Sequence, residues 1–370
     1  MIFLTLLSLA IWIYLLTAHG RFWQAGPILA QATPSLAPPV AIIVPARDEE
    51  KSIAACLRSL LTQDYQGDVR VILVDDASTD RTAEIARALA HPRLAIVSGT
   101  PRPAGWSGKL WAVAQGIAAS DGEEFLLLTD ADITHAPAHL ATLLARAECG
   151  DLDMVSEMVA LSCESWAERA LIPAFVFFFQ FLYPFARVND PLSATAAAAG
   201  GTVLIRRRAL ARIGGIAAIR GALIDDVALA QKVKAGGRIW LGHSALAKSV
   251  RPYASPDDIW RMIARTAYTQ LRYSPLLLAL TVISMVLVWL LPPLATLFAH
   301  GWAQIFAALA WLGAMASFVP TLRRFARSPA WALALPLVAA FYTAATIASA
   351  IAHHRGQGAV WKNRAYGASA

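Results

Sequence analysis

Charged side chains are scarce in this chain, and they are distributed unevenly. Only 15% of its 370 residues are Asp, Glu, Lys or Arg, whereas an ordinary soluble domain has about 25%. Residues 1–39 contain one base, Arg21, and residues 276–370 contain six, and neither flank contains an acid. The other 25 bases and all 25 acids lie in residues 40–275. This pattern excludes a disordered or fibrous chain and indicates a membrane protein with a water-soluble middle.

A basic surface and paired cysteines are missing as well. The net charge of +7 lies on the apolar flanks and the middle is neutral, so no nucleic-acid partner is expected. The three cysteines, Cys56, Cys149 and Cys163, form no C-x-x-C pair. This excludes a zinc site or a disulfide framework and is typical of a reduced cytosolic domain.

The apolar flanks predict membrane-spanning helices. A signal peptide carries its bases before the apolar run, but Arg21 follows the run here, so an uncleaved anchor over residues 1–19 is preferred. A linker over residues 20–39 follows it. Residues 276–352 contain three further apolar runs, long enough for three transmembrane helices, and a basic tail over residues 353–370 ends the chain.

The bases predict how these helices are oriented. Short loops rich in Lys and Arg stay in the cytoplasm, which places Arg21 and the cluster Arg323, Arg324 and Arg327 there together with residues 40–275. Three spans would then leave the basic tail outside, against the same rule. Either the tail is an exception or one apolar run is re-entrant.

The middle alternates short apolar runs with helical patterns. Strands are predicted over 40–44, 69–74, 94–97 and 125–129, with helices over 52–61, 79–90 and 110–119 between them. This alternation predicts an α/β domain with a mostly parallel sheet. Ligands bind beyond the carboxyl ends of such strands, so the chemistry is expected at that edge.

Three of these strand ends carry acids. Pro45–Glu50 follows the first strand, Asp75–Asp80 the second, and Thr129–Asp132 the fourth. Some of the acids suit the first turn of a helix. That explanation does not cover Asp130 and Asp132, two carboxylates with one residue between them, so a ligand site is expected there.

The successive motifs resemble those of family 2 glycosyltransferases, inverting enzymes with a GT-A fold. The resemblance rests on Pro45–Glu50, Val74–Asp80, Gly108-Lys109, Thr129–Asp132, Gly200-Gly201 and Asp225-Asp226. Four stretches, 105–112, 171–185, 220–226 and 264–275, are more narrowly similar to the hopene-associated glycosyltransferases of bacteria. The resemblance implies a multi-pass protein of the bacterial inner membrane with a cytoplasmic GT-A domain over residues 40–275.

The resemblance also implies a nucleotide-sugar site, with a UDP-sugar as the expected donor. Asp132, with Asp130, would bind a divalent metal on the diphosphate, and hard carboxylate oxygens suit Mg²⁺ or Mn²⁺. The residues implied for the nucleotide are Pro45, Arg47, Glu49, Asp76, Lys109 and Asp130.

On the acceptor side, the resemblance makes Asp226 the general base, since the second acid of the family's Glu-Asp pair has this role. A single displacement needs one base. Asp225 takes the place of the usual Glu. The residues implied near the acceptor or the diphosphate are Gly200, Gly201, Asp225, Arg261 and Arg265. The family's Q-x-x-R-W motif is imperfect here, which argues against processive chain elongation.

Two apolar segments indicate a lipid acceptor. Residues 171–185 contain no charge but are too short to span a bilayer, and residues 256–273 mix arginines with apolar side chains as an amphipathic helix does. Both are predicted to lie on the membrane surface. The expected acceptor is a hopanoid-type lipid; the alternatives are polyprenyl phosphate, a sphingolipid-like acceptor, or a catalytically inactive scaffold. His135 and His139 are expected to be solvated helix residues, not metal ligands.

Overall fold

A central sheet organises the water-soluble part of the chain. The computed structural model describes residues 1–356, 360–361 and 364–365; most of the predicted basic tail, including Lys362, lies outside the described residues. The eight strands lie in the order β3-β2-β1-β4-β7-β6-β8-β5. They are β1 (Val40–Ala46), β2 (Val69–Asp75), β3 (Leu94–Ser98), β4 (Phe125–Thr129), β5 (Ile133–His135), β6 (Met154–Ala160), β7 (Thr202–Arg206) and β8 (Ile239–Ser249).

Helices cover both faces of the sheet and continue into an apolar bundle. Those of the sheet domain are α2 (Ile53–Leu61), α3 (Thr82–Arg87), α4 (Gly108–Ala118), α5 (His139–Cys149), α6 (Trp166–Leu182), α7 (Phe185–Asn189), α8 (Arg207–Arg212), α9 (Asp225–Lys234) and α10 (Pro256–Gln270). The apolar helices are α1 (Ile2–Thr17), α11 (Pro275–Met285), α12 (Leu291–Phe298), α13 (Trp302–Arg324) and α14 (Leu335–His354).

The predicted mostly parallel α/β architecture is confirmed. Strands β3, β2, β1 and β4 pair in parallel, and the only antiparallel neighbours in this sheet are β7 and the edge strand β5. Each of the four predicted strands forms. The runs of Val, Ile and Leu in β1, β2 and β4 are buried between two helical layers, and those of the edge strand β3 are half-buried. The helix predicted over residues 79–90 is shorter and spans Thr82–Arg87. The side chain of Asp80 accepts the N–H of Thr82, where the helix begins.

The segment predicted as a linker over residues 20–39 is partly built into the domain. His243 donates its backbone N–H to the carbonyl of Pro27, and Leu29 donates to the carbonyl of His243, so residues 27–29 extend the sheet beside β8. Leu29 is buried. The prediction of a simple spacer is therefore wrong for these residues.

The prediction that residues 171–185 lie on the membrane surface is also wrong. Most of this stretch belongs to α6, which is buried between the sheet domain and the apolar helices. Phe177 is fully buried against Phe22, Trp289 and Phe318. The phenylalanines join the two parts of the protein, because a ring that contacts several helices contributes more buried area than any smaller side chain.

Three C-terminal helical segments are long and apolar enough to cross a membrane: Pro275–Phe298, Trp302–Arg324 and Pro329–His354. The shorter α1 packs beside α13. A π-helical segment, Val286–Leu290, interrupts the first of them just before Pro292 and Pro293. At that point Trp12 donates its ring N–H to the carbonyl of Val288. This carbonyl needs another donor because Pro292, four residues later, has no N–H.

The contacts of α14 place both of its ends on the side of the sheet domain. The turn before it carries Phe325, which packs against the core of that domain. At its other end His354 hydrogen-bonds Tyr268 of α10, and His353 stacks on Tyr273 with ring centroids 4.4 Å apart. A single helix with both ends on that side does not cross the bilayer, so Arg355 stays on the side of Arg323 and Arg324, as the charge rule requires.

We therefore predict that the residues after α14 face the cytoplasm. In a variant whose three native cysteines are replaced by serine, Arg355→Cys should resist a membrane-impermeant maleimide in intact cells and react in inverted membrane vesicles. The control is His300→Cys, in the turn before α13. Because α13 is about 34 Å long and ends at the sheet domain, His300→Cys should show the opposite pattern. Labelling of Arg355→Cys in intact cells would contradict this topology.

Candidate active site

A small polar pocket lies at the edge of the sheet where β1 and β4 end. Its volume is about 190 Å³, and it is closed by the first turns of α4 and α9 and by the chain after β8. Seven of the residues predicted for the site line it: Pro45, Glu49, Lys109, Asp130, Asp132, Asp225 and Arg265. Residues from far apart in sequence therefore meet at the sheet edge that the topology rule predicts.

Lys109 is the central cation of this pocket. Ser107 caps α4 by accepting the N–H of Leu110, which sets Lys109 in the first turn. Its Nζ lies 2.9 Å from Oδ1 of Asp130 and 3.2 Å from Oδ2 of Asp225. Burial by itself lowers the pKa of Lys109, but the two carboxylates outweigh burial and raise it, so the ammonium stays charged.

Asp226 lies behind this cation, in a narrow extension of the pocket that Gly200 also lines. Burial, and then the carboxylate of Asp225, raise the pKa of Asp226 to about 7, while the charge of Lys109 opposes them. A Cβ on Gly200 would lie 3.2 Å from Oδ2 of Asp226 and 3.6 Å from Nζ of Lys109. Glycine thus keeps space open in front of the carboxylate.

Arg251, in the segment after β8, is a site residue that the sequence analysis missed. Its Nε lies 2.7 Å from Oδ2 of Asp132, and its Nη2 lies 3.2 Å from Oε1 of Glu49. It joins the acid after β4 to the acid after β1. No motif marked it, because it follows β8, more than a hundred residues after Asp132, and reaches the site through the pairing of β8 with β5.

Four predicted residues line neither this pocket nor its extension: Arg47, Asp76, Gly201 and Arg261. Arg47 donates to the backbone carbonyl of Asp76 at 2.5 Å, which ties the ends of β1 and β2 together beside the pocket. Gly201 contributes its carbonyl, which accepts from Thr129 Oγ1. Arg261 is exposed, pairs with Asp258 at 2.7 Å and lines a neighbouring cavity instead.

The two aspartates after β4 fit a divalent metal only in combination with phosphate oxygens. The described residues contain no cluster of three or more His, Cys, Asp or Glu side chains that could hold a metal ion. Asp130 and Asp132 each engage a cation through one oxygen, Lys109 and Arg251 respectively. Mg²⁺ is commonly bound by one or two carboxylates together with substrate phosphates and water, and this donor set fits that mode.

The strand end that carries Asp130 rests on a buried chain of hydrogen bonds. Thr129 Oγ1 donates to Gly201 O, so His135 Nε2 must donate to Thr129 Oγ1, over 3.1 Å. His135 then accepts at Nδ1 from Nδ1 of His139, over 2.9 Å, and His139 Nε2 lies 2.5 Å from Oε1 of Glu157. Burial lowers the pKa of His135 well below its usual range, which keeps it neutral.

These histidines are therefore not solvated, and the prediction that they are is wrong. His135, His139 and Glu157 are all buried. The pairing was not predictable, because Glu157 lies on β6 and reaches His139 only after the sheet has formed. The chain of four side chains fixes the turn from which Asp130 and Asp132 point into the pocket.

Sequence comparison connects this domain with known proteins. Residues 41–214 match the model of the family described as Glycosyl transferase family 2. A curated protein of Staphylococcus aureus (strain USA300), 4,4'-diaponeurosporenoate glycosyltransferase, is 39% identical over 93 residues. That match covers 25% of this chain and 24% of the relative, so the chain matches about a quarter of that protein's length.

Structural comparison shows the fold of the whole chain. A mannosyltransferase from Pyrobaculum calidifontis, solved in complex with GDP-Man and Mn²⁺, superposes with a TM-score of 0.57. The alignment covers 95% of this chain and 99% of the other, at 23% sequence identity. Sheet domain and apolar helices therefore occur together in a solved structure, and the predicted fold class is confirmed.

Removing one end of the buried chain should destabilise the domain. In His139→Ala the buried carboxylate of Glu157 loses its partner, which typically costs about 3–5 kcal/mol. Unfolding by guanidinium in detergent, followed by tryptophan fluorescence, measures the loss.

The double variant His139→Leu/Glu157→Leu is the matched control. It removes both partners and leaves apolar side chains, so it should be much less destabilised than His139→Ala. The stability lost by the double variant is compared with the losses of His139→Leu and Glu157→Leu. If it equals their sum, the contact between the two side chains contributes nothing to stability.

Proposed function

We propose that this chain, whose residues 41–214 match the family 2 glycosyltransferase model, is an inverting glycosyltransferase that moves a sugar from a nucleotide-sugar to a membrane lipid. The observation that carries the proposal is Asp226. It is a half-buried carboxyl with a pKa of about 7, next to an ammonium and a pocket lined with acids. A base of that pKa suits removal of a proton from a hydroxyl at neutral pH.

The donor occupies the pocket at the ends of β1 and β4 in this proposal. Glu49 contacts the nucleoside of a UDP-sugar, Arg47 and Asp76 support this end of the pocket from beside it, and Lys109 and Arg265 contact the diphosphate. The charge of an ammonium at the first turn of α4 favours an anion there. A divalent metal, Mg²⁺ or Mn²⁺, held by Asp130 and Asp132, would supply charge stabilisation for the departing diphosphate. The Pyrobaculum protein was solved with GDP-Man and Mn²⁺, which supports this class of donor.

The proposed step is a single displacement. The hydroxyl oxygen of the acceptor attacks the anomeric carbon, and its proton passes to the carboxylate of Asp226. The bond from that carbon to the diphosphate oxygen breaks, and the nucleoside diphosphate leaves with the electron pair. Lys109 lies beside the leaving group and holds Asp225 at 3.2 Å, so a fixed cation is in place before charge develops.

The acceptor in this proposal is a hydroxylated lipid of the hopanoid type. A base would be superfluous for polyprenyl phosphate, because a phosphate oxygen is already ionised at pH 7. The apolar helices fix the domain at a bilayer, and the name of the Staphylococcus relative specifies 4,4'-diaponeurosporenoate as what that protein glycosylates. A phosphorylated or sphingolipid-like acceptor is the second candidate, and the bacterial inner membrane, with the domain in the cytoplasm, is the proposed location.

Asp226→Asn should abolish transfer and preserve nucleotide binding. Loss of a general base typically lowers the rate about 10²–10⁴-fold, whereas the side chain does not line the pocket proposed for the nucleotide. The wild-type kcat/KM should rise with pH and level off above about 7, because only the deprotonated carboxylate accepts a proton. Transfer to a hydroxylated hopanoid in vesicles and calorimetry with UDP measure the two effects.

Asp225→Asn is the matched control. Without the negative charge of Asp225, the pKa of Asp226 falls, so the rise in kcat/KM should move to lower pH and remain present. Near wild-type transfer by Asp226→Asn would disprove the assignment of the base.

A further inference from the structure

A second, larger cavity lies beside the catalytic pocket, between α10 and α14. Its volume is about 610 Å³, within the range of small-molecule sites. Ala348, Ser349 and Ala352 of α14 form one wall, and Tyr268 of α10 forms part of the other. The small side chains of α14 leave this space open, although the two helices are in contact elsewhere along their length.

The cavity adjoins the catalytic pocket. Arg251, Tyr253 and Arg265 line both spaces. A molecule in the cavity therefore lies next to the proposed donor site, at the junction that these three side chains form.

The charges around the cavity do not call for an ionic ligand. Arg251 is paired with Asp132 and Glu49, and Arg261 with Asp258. Arg265 has no carboxylate within ion-pair distance among the described residues, but it lies at the junction where a diphosphate would bind. The wall hydroxyl of Ser349 already donates to the carbonyl of Ala264. Thr269 donates its hydroxyl to Tyr273, and His353 stacks on the same ring. The rest of the wall is aromatic or aliphatic and suits an apolar, uncharged body.

Exposed aliphatic side chains lie beside the cavity. Ile347 and Ile351, on the same turns of α14, are exposed, as are Leu276 and Leu280 at the start of α11. Exposed aliphatic side chains in such a run are expected to face lipid. A lipid can therefore enter the cavity sideways from the bilayer, which avoids the cost of exposing its apolar surface to water.

We infer that this cavity between α10 and α14 is the acceptor site, and that it binds a neutral lipid with a rigid apolar body and a terminal hydroxyl. The inference rests on the proposed function. The apolar body lies between the helices, and the hydroxyl passes the junction at Tyr253 toward the catalytic pocket.

Filling the cavity tests this inference. Ala348→Phe and Ala352→Phe place a ring in the space that the lipid would occupy, and neither alanine lines the catalytic pocket. The KM for a hydroxylated hopanoid in phosphatidylcholine vesicles should rise about 10- to 100-fold, because an overfilled site must displace its ligand. Hydrolysis of the UDP-sugar by water, which needs no acceptor, should stay at the wild-type rate.

Ile351→Phe is the matched control, since it adds a ring to the same helix on the side that faces lipid. It should leave both activities unchanged. If Ala348→Phe does not fold, Ala352→Val supplies a smaller obstruction with the same expected direction. A folded cavity variant with wild-type KM, or one that loses transfer and hydrolysis equally, would overturn the inference.

The failure of the proposed function gives a different result. A wild-type protein that transfers sugar to no lipid in vesicles would refute the function itself. Wild-type transfer that the ring substitutions leave intact would refute only the acceptor cavity.

Discussion

The ammonium of Lys109, held between Asp130 and Asp225, is the contact on which the site depends. Carboxylates from β4 and from α9 approach one point, and their repulsion would separate these elements without a cation between them. Arg251 likewise offsets the repulsion between two acids, because it lies between Asp132 and Glu49. The two cations therefore hold the acids in place. Burial, and then the carboxylate of Asp225, raise the pKa of Asp226 to about 7, and burial also raises the pKa of Asp130.

Helices α6 and α10 connect the apolar part of the protein with the site. Helix α6 is buried on one side by the sheet domain and on the other by the apolar helices, and its end carries Tyr183, whose hydroxyl accepts a hydrogen bond from Gln270 of α10. Asp226 contributes to the raised pKa of Tyr183, after burial. Helices α6 and α10 thus reach the neighbourhood of the proposed base through these two side chains.

The sequence predicted the local features of the site well and the long-range ones poorly. Acids after apolar strands could be recognised as a ligand edge, because the carboxyl ends of parallel strands coincide, and seven predicted residues do line one pocket. Arg251, Glu157 and the burial of Phe177 were not predictable, since each depends on a contact made only after the sheet or the helical bundle forms. Periodicity reports that a segment is apolar, but not whether lipid or another helix covers it.

Substitution of Lys109 tests the central role of this cation most directly. In Lys109→Met the repulsion from Asp130 and Asp225 is no longer opposed, so the pKa of Asp226 should rise and the pH at which kcat/KM levels off should move above about 7. The affinity for UDP should fall in the same variant, because the ammonium at the first turn of α4 is gone. A Lys109→Met protein with the wild-type pH profile and the wild-type affinity for UDP would contradict the account.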